Sequence, residues 1–290
     1  MKTDIIKYDF KTGLPQEFEI VDLATLYQEF KNTLTTTHRT GFYHIIWFQQ
    51  GNPTHLADFN PIKISPNSLL FLNKDTVHRF DKETKFEGKI LLFTESFFCK
   101  TKTDTKFLRN TPLFNELFSI TPIQIQKQSE VFANLMQSMA DELQKTKDHF
   151  QADILQNLLK NFLLHSEREY EQQNLFEVKK GADFDIVILF KDLLEANFKN
   201  QKQVNFYAKA LIITEKRLNQ ATSKVIGKTP KEIIDDRIIL EIKRILVHTT
   251  GSIKEIGYSL GFEEPTNFIK YFKKHSQMTP VEFREKNSLA

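Results

Sequence analysis

The sequence predicts an α+β multidomain protein, with a strand-rich first part, helices appended to it, and an all-helical last third. Three observations carry this. Before residue 100, short runs of β-branched and aromatic residues alternate with Pro, Asn, Asp and Gly turns. From 125 to 170, apolar residues fall at helical spacing. In the last third one layout occurs twice: Thr229-Pro230-Lys231-Glu232 recurs fifty residues later as Thr279-Pro280-Val281-Glu282, each copy closing a short helix, a tight turn and a second short helix.

A chain of 290 residues is expected to form about two domains. The single cysteine, Cys99, excludes an internal disulfide framework and fits a reducing cytoplasm. Beside Phe97-Phe98 it reads as a small buried hydrophobe rather than a nucleophile. No stretch is long and apolar enough to span a bilayer, and Met1-Lys2-Thr3-Asp4 leads into no signal-peptide core. The expected location is therefore cytoplasmic, with no membrane partner.

In chain order, Phe42-Tyr43-His44-Ile45-Ile46-Trp47-Phe48 is the first clear strand, bounded by Gly41 and Gly51-Asn52-Pro53. Ile62-x-Ile64, Ser68-Leu69-Leu70-Phe71-Leu72 and Lys89-Ile90-Leu91-Leu92-Phe93 follow, and residues 1–100 read as short strands between turns, an all-β sandwich or barrel. Next, Ile154, Leu155, Leu158, Leu159, Phe162 and Leu163 form one broad helical stripe. Val131, Leu135, Met139 and Leu143 form a second that could cover it. The first stripe either packs on the β domain or makes a two-helix dimer seam. Glu171-Gln172-Gln173-Asn174 and Lys179-Lys180-Gly181 mark a linker at about 171–182, dividing the chain into 1–170 and 183–290.

The last third starts its helices with Thr-Pro-x-Glu. Thr caps free amides, Pro takes the first helical position where its missing N–H costs nothing, and Glu reaches back to the cap. The first unit, about 204–227, has Val204, Ala208 and Leu211 on its first helix; Thr214 caps the second, and Gly227 ends it. A long amphipathic helix from Pro230 to about Val247 then spans roughly 27 Å. The second unit, about 252–275, opens on the capping box of Ser252 and Glu255, with Ile253, Ile256 and Leu260 as its apolar stripe. Gly261 makes the turn, Glu263 or Glu264 can cap the next helix, and Phe268 and Phe272 anchor it. A helix–turn–helix duplicated on a rigid strut suits reading two segments of one DNA face, about one turn (roughly 34 Å) apart. Charge permits this without arguing for it. Residues 183–290 hold 18 Lys and Arg against 14 Asp and Glu, a balance of +4, and the rest of the chain balances at −1.

Residues 183–290 resemble the AraC/XylS family of bacterial transcription regulators. The resemblance is carried by Tyr207-Ala208, Thr214, Leu218, Gly227 and Thr229-Pro230, by Arg237, Ile238 and Leu246 on the strut, and by Ser252-Ile253-x-Glu255-Ile256, Leu260-Gly261-Phe262, Asn267-Phe268, Phe272-Lys273-Lys274, Thr279-Pro280 and Phe283-Arg284. Several positions depart from the family pattern. Gly257 replaces a usual Ala and should loosen its helix, Thr222 replaces a frequent Phe, Gln277 stands at a turn Gly, and Pro265 replaces a polar reader. Upstream, Pro66-Asn67-Ser68-Leu69-Leu70-Phe71-Leu72 and Val77-His78-Arg79-Phe80 resemble the cupin-like sensing domain that precedes this module in many members. The implied architecture is a cupin-like β-barrel with dimerisation helices before an all-α tandem helix–turn–helix domain.

The resemblance implies a sequence-specific transcription regulator acting on double-stranded promoter DNA. It further implies activation through RNA polymerase, a homodimer and a small-molecule effector. Base and phosphate contacts carried over by position are Lys216, Asn219, Gln220 and Lys224 in the first unit, and Thr266, Asn267, Lys270, Lys273 and Lys274 in the second. His44, Trp47, His55 and His78 are candidates to line an effector pocket. His38, His44, His55 and His78 occur singly, with no His-x-His, so neither a metal nor another cofactor is expected. The alternative is a cupin-type enzyme fused to a DNA-binding tail, and the missing His-x-His/Glu set argues against its common metal-dependent form. No catalytic residue is assigned.

Overall fold

The computed structural model describes residues 6–14, 16–114, 120–125, 129–173 and 181–288. The chain divides into two compact units, one over Ile6–Glu177 and the other over Val178–Ala290. Most of the linker at 171–182, from 174 to 180, lies outside the described residues.

The first unit is built from β1 (Lys7–Tyr8), β2 (Phe18–Asp22), α1 (Leu23–Leu34), β3 (Arg39–Thr40), β4 (Tyr43–Gln50), β5 (Thr54–Ala57), β6 (Asn60–Lys63), β7 (Ser68–Leu72), β8 (His78–Arg79), β9 (Glu87–Phe93), α2 (Glu95–Phe98), α3 (Lys102–Asn110), β10 (Ile123–Gln124), α4 (Ser129–Gln144) and α5 (Gln151–Gln172). Among the described residues, one antiparallel sheet runs β10-β7-β4-β9-β2, a second runs β6-β5-β8, and β1 pairs with β3 in parallel. The all-strand reading of 1–100 is corrected by α1. Asp22 caps it by accepting from the amides of Ala24 and Thr25, and Leu23, Leu26, Tyr27 and Leu34 turn toward the core.

The central strand β4 separates two cores, because successive side chains point to opposite faces. Ile46 and Phe48 join Leu70, Leu72, Phe80 and Ile90 inside the strand region. Tyr43, Ile45 and Trp47 face the other way, onto Phe132, Met136 and Met139 of α4 and Leu155, Leu159, Phe162 and Leu163 of α5. The rings of Phe132 and Phe162 meet edge to face at 4.9 Å. Four of the six stripe residues thus seal the β domain. Leu158 is partly buried against the same core, and Ile154 faces outward. In the covering helix, Met139 is fully buried while Val131, Leu135 and Leu143 are half-buried; the helix is turned so that Phe132 and Met136 take the central places. Cys99 is half-buried against this core, and that burial pushes its thiol up.

The second unit is all helical: α6 (Ala182–Asn197), α7 (Val204–Ala210), α8 (Glu215–Ile226), α9 (Pro230–His248), α10 (Ile253–Ser259), α11 (Pro265–Ser276) and α12 (Pro280–Ser288). Its caps follow from the sequence. Thr229 with Glu232 and Ser252 with Glu255 form complete capping boxes, Thr214 accepts from the Arg217 amide, and Thr279 and Glu282 bond reciprocally. Gly227 ends α8 in the left-handed conformation at φ 76°. Glu264 occupies the cap of α11, but its side chain makes no capping bond.

The strut α9 buries Ile233, Ile234, Ile238, Ile239, Ile242 and Leu246. Arg237 donates twice to Glu195 of α6, at 2.8 and 2.9 Å, and stacks over Phe198 at 3.9 Å. Arg284 of α12 donates to the Leu246 carbonyl at 3.0 Å and to that of Gly251 at 2.7 Å, which satisfies the C-terminal end of the strut. Gly257 has a packing reason beside its cost to the helix: a Cβ there would stand 3.1 Å from the Phe268 ring, so glycine lets α11 seat closely on α10.

Candidate nucleic-acid interface and a buried histidine cluster

Each helix–turn–helix unit presents its second helix in the same way. On α8, Leu218, Ala221 and Thr222 are buried. Lys216, Asn219, Gln220 and Lys224 are exposed at i, i+3, i+4 and i+8, which places them on one face. On α11, Phe268 and Phe272 are buried. Thr266, Asn267, Lys270, Lys273 and Lys274 are exposed at i, i+1, i+4, i+7 and i+8. Ile269 stands beside them at 37% exposure. All nine residues expected from the sequence therefore lie on the outward faces of the two second helices. The back of each helix is apolar and fixed, and the front is polar and cationic, which is the arrangement a recognition helix needs.

Two local contacts modify this picture. Lys224 pairs with Asp183 at 2.7 Å, and Arg217 pairs with the same carboxylate at 2.6 Å. The two cations hold the Asp183 carboxyl below its usual range, chiefly through their hydrogen bonds. One flank of α8 is thus clamped to the start of α6, which the sequence reading did not anticipate. The turn between α7 and α8 is also unusual. Ile212 adopts φ 58° there and is 92% exposed, a rare conformation for a β-branched residue. In the second unit that turn falls to Gly261 at φ 69°, where a Cβ would collide with the Lys199 carbonyl. Lys202 bridges the same place, donating to the carbonyls of Lys199 at 3.0 Å and Gly261 at 3.1 Å.

The four histidines that stand singly in the sequence converge in the first unit. His78 lies at the centre, with ring centroids 4.6 Å from His38, 5.0 Å from His44 and 5.3 Å from His55. Topology explains the meeting. His44 follows the inward alternation of Ile46 and Phe48 on β4. β5 pairs Ala57 with His78, and His38 and His78 exchange backbone hydrogen bonds at 3.1 and 2.9 Å. Phe42, Phe48 and Phe80 ring the cluster.

His44, His55 and His78 are wholly buried. Burial, reinforced by the neighbouring imidazoles, pushes His44 and His55 down to about 3 and His78 well below its ordinary value. The cluster is therefore neutral at physiological pH. Among the described residues, both ring nitrogens of His55 and His78 and Nδ1 of His44 have no hydrogen-bond partner. Also among the described residues, no group of three or more His, Cys, Asp or Glu side chains is arranged to hold a metal ion. Trp47, the fourth candidate pocket residue, does not join the histidines, because one residue of strand alternation turns it onto the helix-facing core. On that helix side a cleft is lined by Phe71, Asn73, Thr76, Phe114 and Tyr170, with the Asn73 Oδ1 unpartnered among the described residues.

Comparison with known proteins agrees with both units. Residues 207–286 match the model of a helix–turn–helix domain, and residues 20–160 match that of an AraC-like ligand binding domain. The chain belongs to the AraC family of DNA-binding transcription regulators. Its relatives include the lactose operon transcription activator of Staphylococcus xylosus, 29% identical over 98 residues, a match covering 34% of this chain and 35% of that protein. The transcriptional activator RhaS of Pectobacterium carotovorum is 21% identical over 253 residues, covering 85% of this chain and 86% of that relative. Among solved structures, ToxT from Vibrio cholerae aligns with a TM-score of 0.45 and 13% identity, over 93% of this chain and 98% of that one. None of the described helices is long and apolar enough to cross a membrane.

Proposed function

We propose that this regulator acts in the cytoplasm as a homodimer, binds asymmetric promoter DNA through α8 and α11, and activates transcription by contact with RNA polymerase in response to a small molecule. One observation carries the DNA reading: two second helices, each with an apolar back and an outward row of amides and lysines, are joined by a single rigid strut. Lys216, Asn219, Gln220, Thr266, Asn267 and Lys270 are the proposed base readers, with Lys224, Lys273 and Lys274 meeting phosphates. Dimerisation uses the outward face of α5, where Ile154 and Leu164 stand exposed beside Asn157 and Asn161. The effector reading is supported by the ligand-binding-domain match.

A salt titration on duplex DNA tests the central reading. Full-length protein should lose affinity log-linearly with salt, with a slope of several units, as phosphate contacts release counterions. Lys270→Ala should cost about 1–3 kcal/mol on the specific site alone, and Lys273→Ala should weaken all sequences alike. A folded protein with no salt-dependent DNA binding would remove the assignment. Thermal shift and Trp47 fluorescence across a metabolite panel test the effector.

A further inference from the structure

The second recognition helix is seated by a buried polar junction as well as by its two phenylalanines. The side of α11 that meets the strut carries Tyr271 and His275, one turn apart. Both reach a single carboxylate on α9, Asp235, whose side chain is only 9% exposed. The Tyr271 hydroxyl donates to Asp235 Oδ1 at 2.6 Å, and Lys231 donates to the same oxygen at 2.6 Å. His275 Nε2 stands 3.8 Å from Oδ2. The Tyr271 ring rests 4.8 Å from that of His275 and 5.2 Å from that of Phe262, next to the turn glycine. Burial, and then the bond to Asp235, raises the Tyr271 phenol above its ordinary value, so it stays a donor.

Phe268 and Phe272 hold α11 down, but apolar contact is not directional and leaves the helix able to roll. The hydrogen bond from Tyr271 to the Asp235 carboxylate, which Lys231 also holds, is directional and short, and it sets an angle. A roll of about 15° moves a side-chain tip, about 5–6 Å from the helix axis, by about 1.5 Å. That is enough to break a hydrogen bond of ordinary length to a base edge. Burying a carboxylate adds little net stability, so the gain lies in geometry.

We propose that Asp235 is a positioning residue for DNA reading: through the Tyr271 hydroxyl it fixes the roll of α11, and so decides which side chains of the second unit reach base edges. This rests on the reading of α11 as a recognition helix. The test is in vitro selection of binding sites from a random duplex library by full-length wild type, Asp235→Asn and Tyr271→Phe, with thermal unfolding of each. Tyr271→Phe removes one oxygen from a ring that stays packed, so it reports even where Asp235→Asn folds poorly. Wild type should select a two-part consensus. The variants should keep the part read by the first unit and lose base preference in the part read by the second. Their affinity for the wild-type consensus should fall at least about tenfold, with binding to a scrambled duplex unchanged. Variants that keep both parts, or that lose specific and scrambled binding together, overturn the proposal while leaving the DNA-reading assignment standing. A wild type that selects no consensus overturns both.

Discussion

Acid should unfold the first unit through its histidine cluster, and the size of the effect follows from the burial. In the unfolded chain His44 and His55 titrate near 6.5; in the folded chain they titrate at about 3. Their folded values are depressed, so below pH 6.5 the unfolded state binds protons that the folded state does not, and stability is lost as pH falls from 6.5 toward 3. At pH 5 each group costs about 2 kcal/mol relative to pH 8, so the two together cost about 4 kcal/mol. His78 shifts in the same direction and adds to this. That is a large part of an ordinary domain's stability of about 5–15 kcal/mol. The lone tryptophan, Trp47, is buried in the same unit and reports on it specifically. Urea unfolding followed by Trp47 fluorescence, repeated from pH 8 to pH 5, should show ΔG falling with a slope that approaches two or more protons. His55→Phe should remove about one proton from that slope. A stability that is flat across this window would refute the neutral buried cluster.

Further outcomes follow from single contacts. Gln277 ends α11 in the left-handed conformation at φ 60°, so Gln277→Gly should stabilise the second unit by about 1 kcal/mol, read from thermal unfolding. Asp183→Asn releases Arg217 and Lys224 from their shared carboxylate, and should tighten DNA binding at low salt and steepen the salt dependence. On α5, Leu159→Glu should unfold the first unit because Leu159 is fully buried in its core. Ile154→Glu with Leu164→Glu should leave it folded and, by light scattering, monomeric.

What was legible in the sequence was what neighbouring residues decide. The caps at Thr214, Thr229 and Ser252 and the glycine stop at Gly227 depend on residues three or four apart, and the structure forms each as read. The outward faces of α8 and α11 follow from the positions of Leu218, Phe268 and Phe272, again a local period. The grouping of His44, His55 and His78 rested on the barrel resemblance alone, because they and His38 meet only through strand pairing across some forty residues. Trp47 was misplaced because grouping it with His44 ignored the alternation of β4. The Asp183 clamp and the Asp235 junction join residues 34 to 41 positions apart in sequence, and nothing local announces them. Gly257 looked like a weakness in its helix, since propensity counts the missing methyl and cannot see the Phe268 ring that fills its place.

The central claim is that one strut holds two reading helices against one face of DNA. Hydroxyl-radical footprinting of full-length protein on the region upstream of its own coding sequence tests it most directly. Two protected patches on the same face, about one helical turn or roughly 34 Å apart, are the predicted result. Lys216→Ala with Asn219→Ala should erase one patch, and Asn267→Ala with Lys270→Ala the other. A single patch, or two that disappear together with either pair, would contradict it.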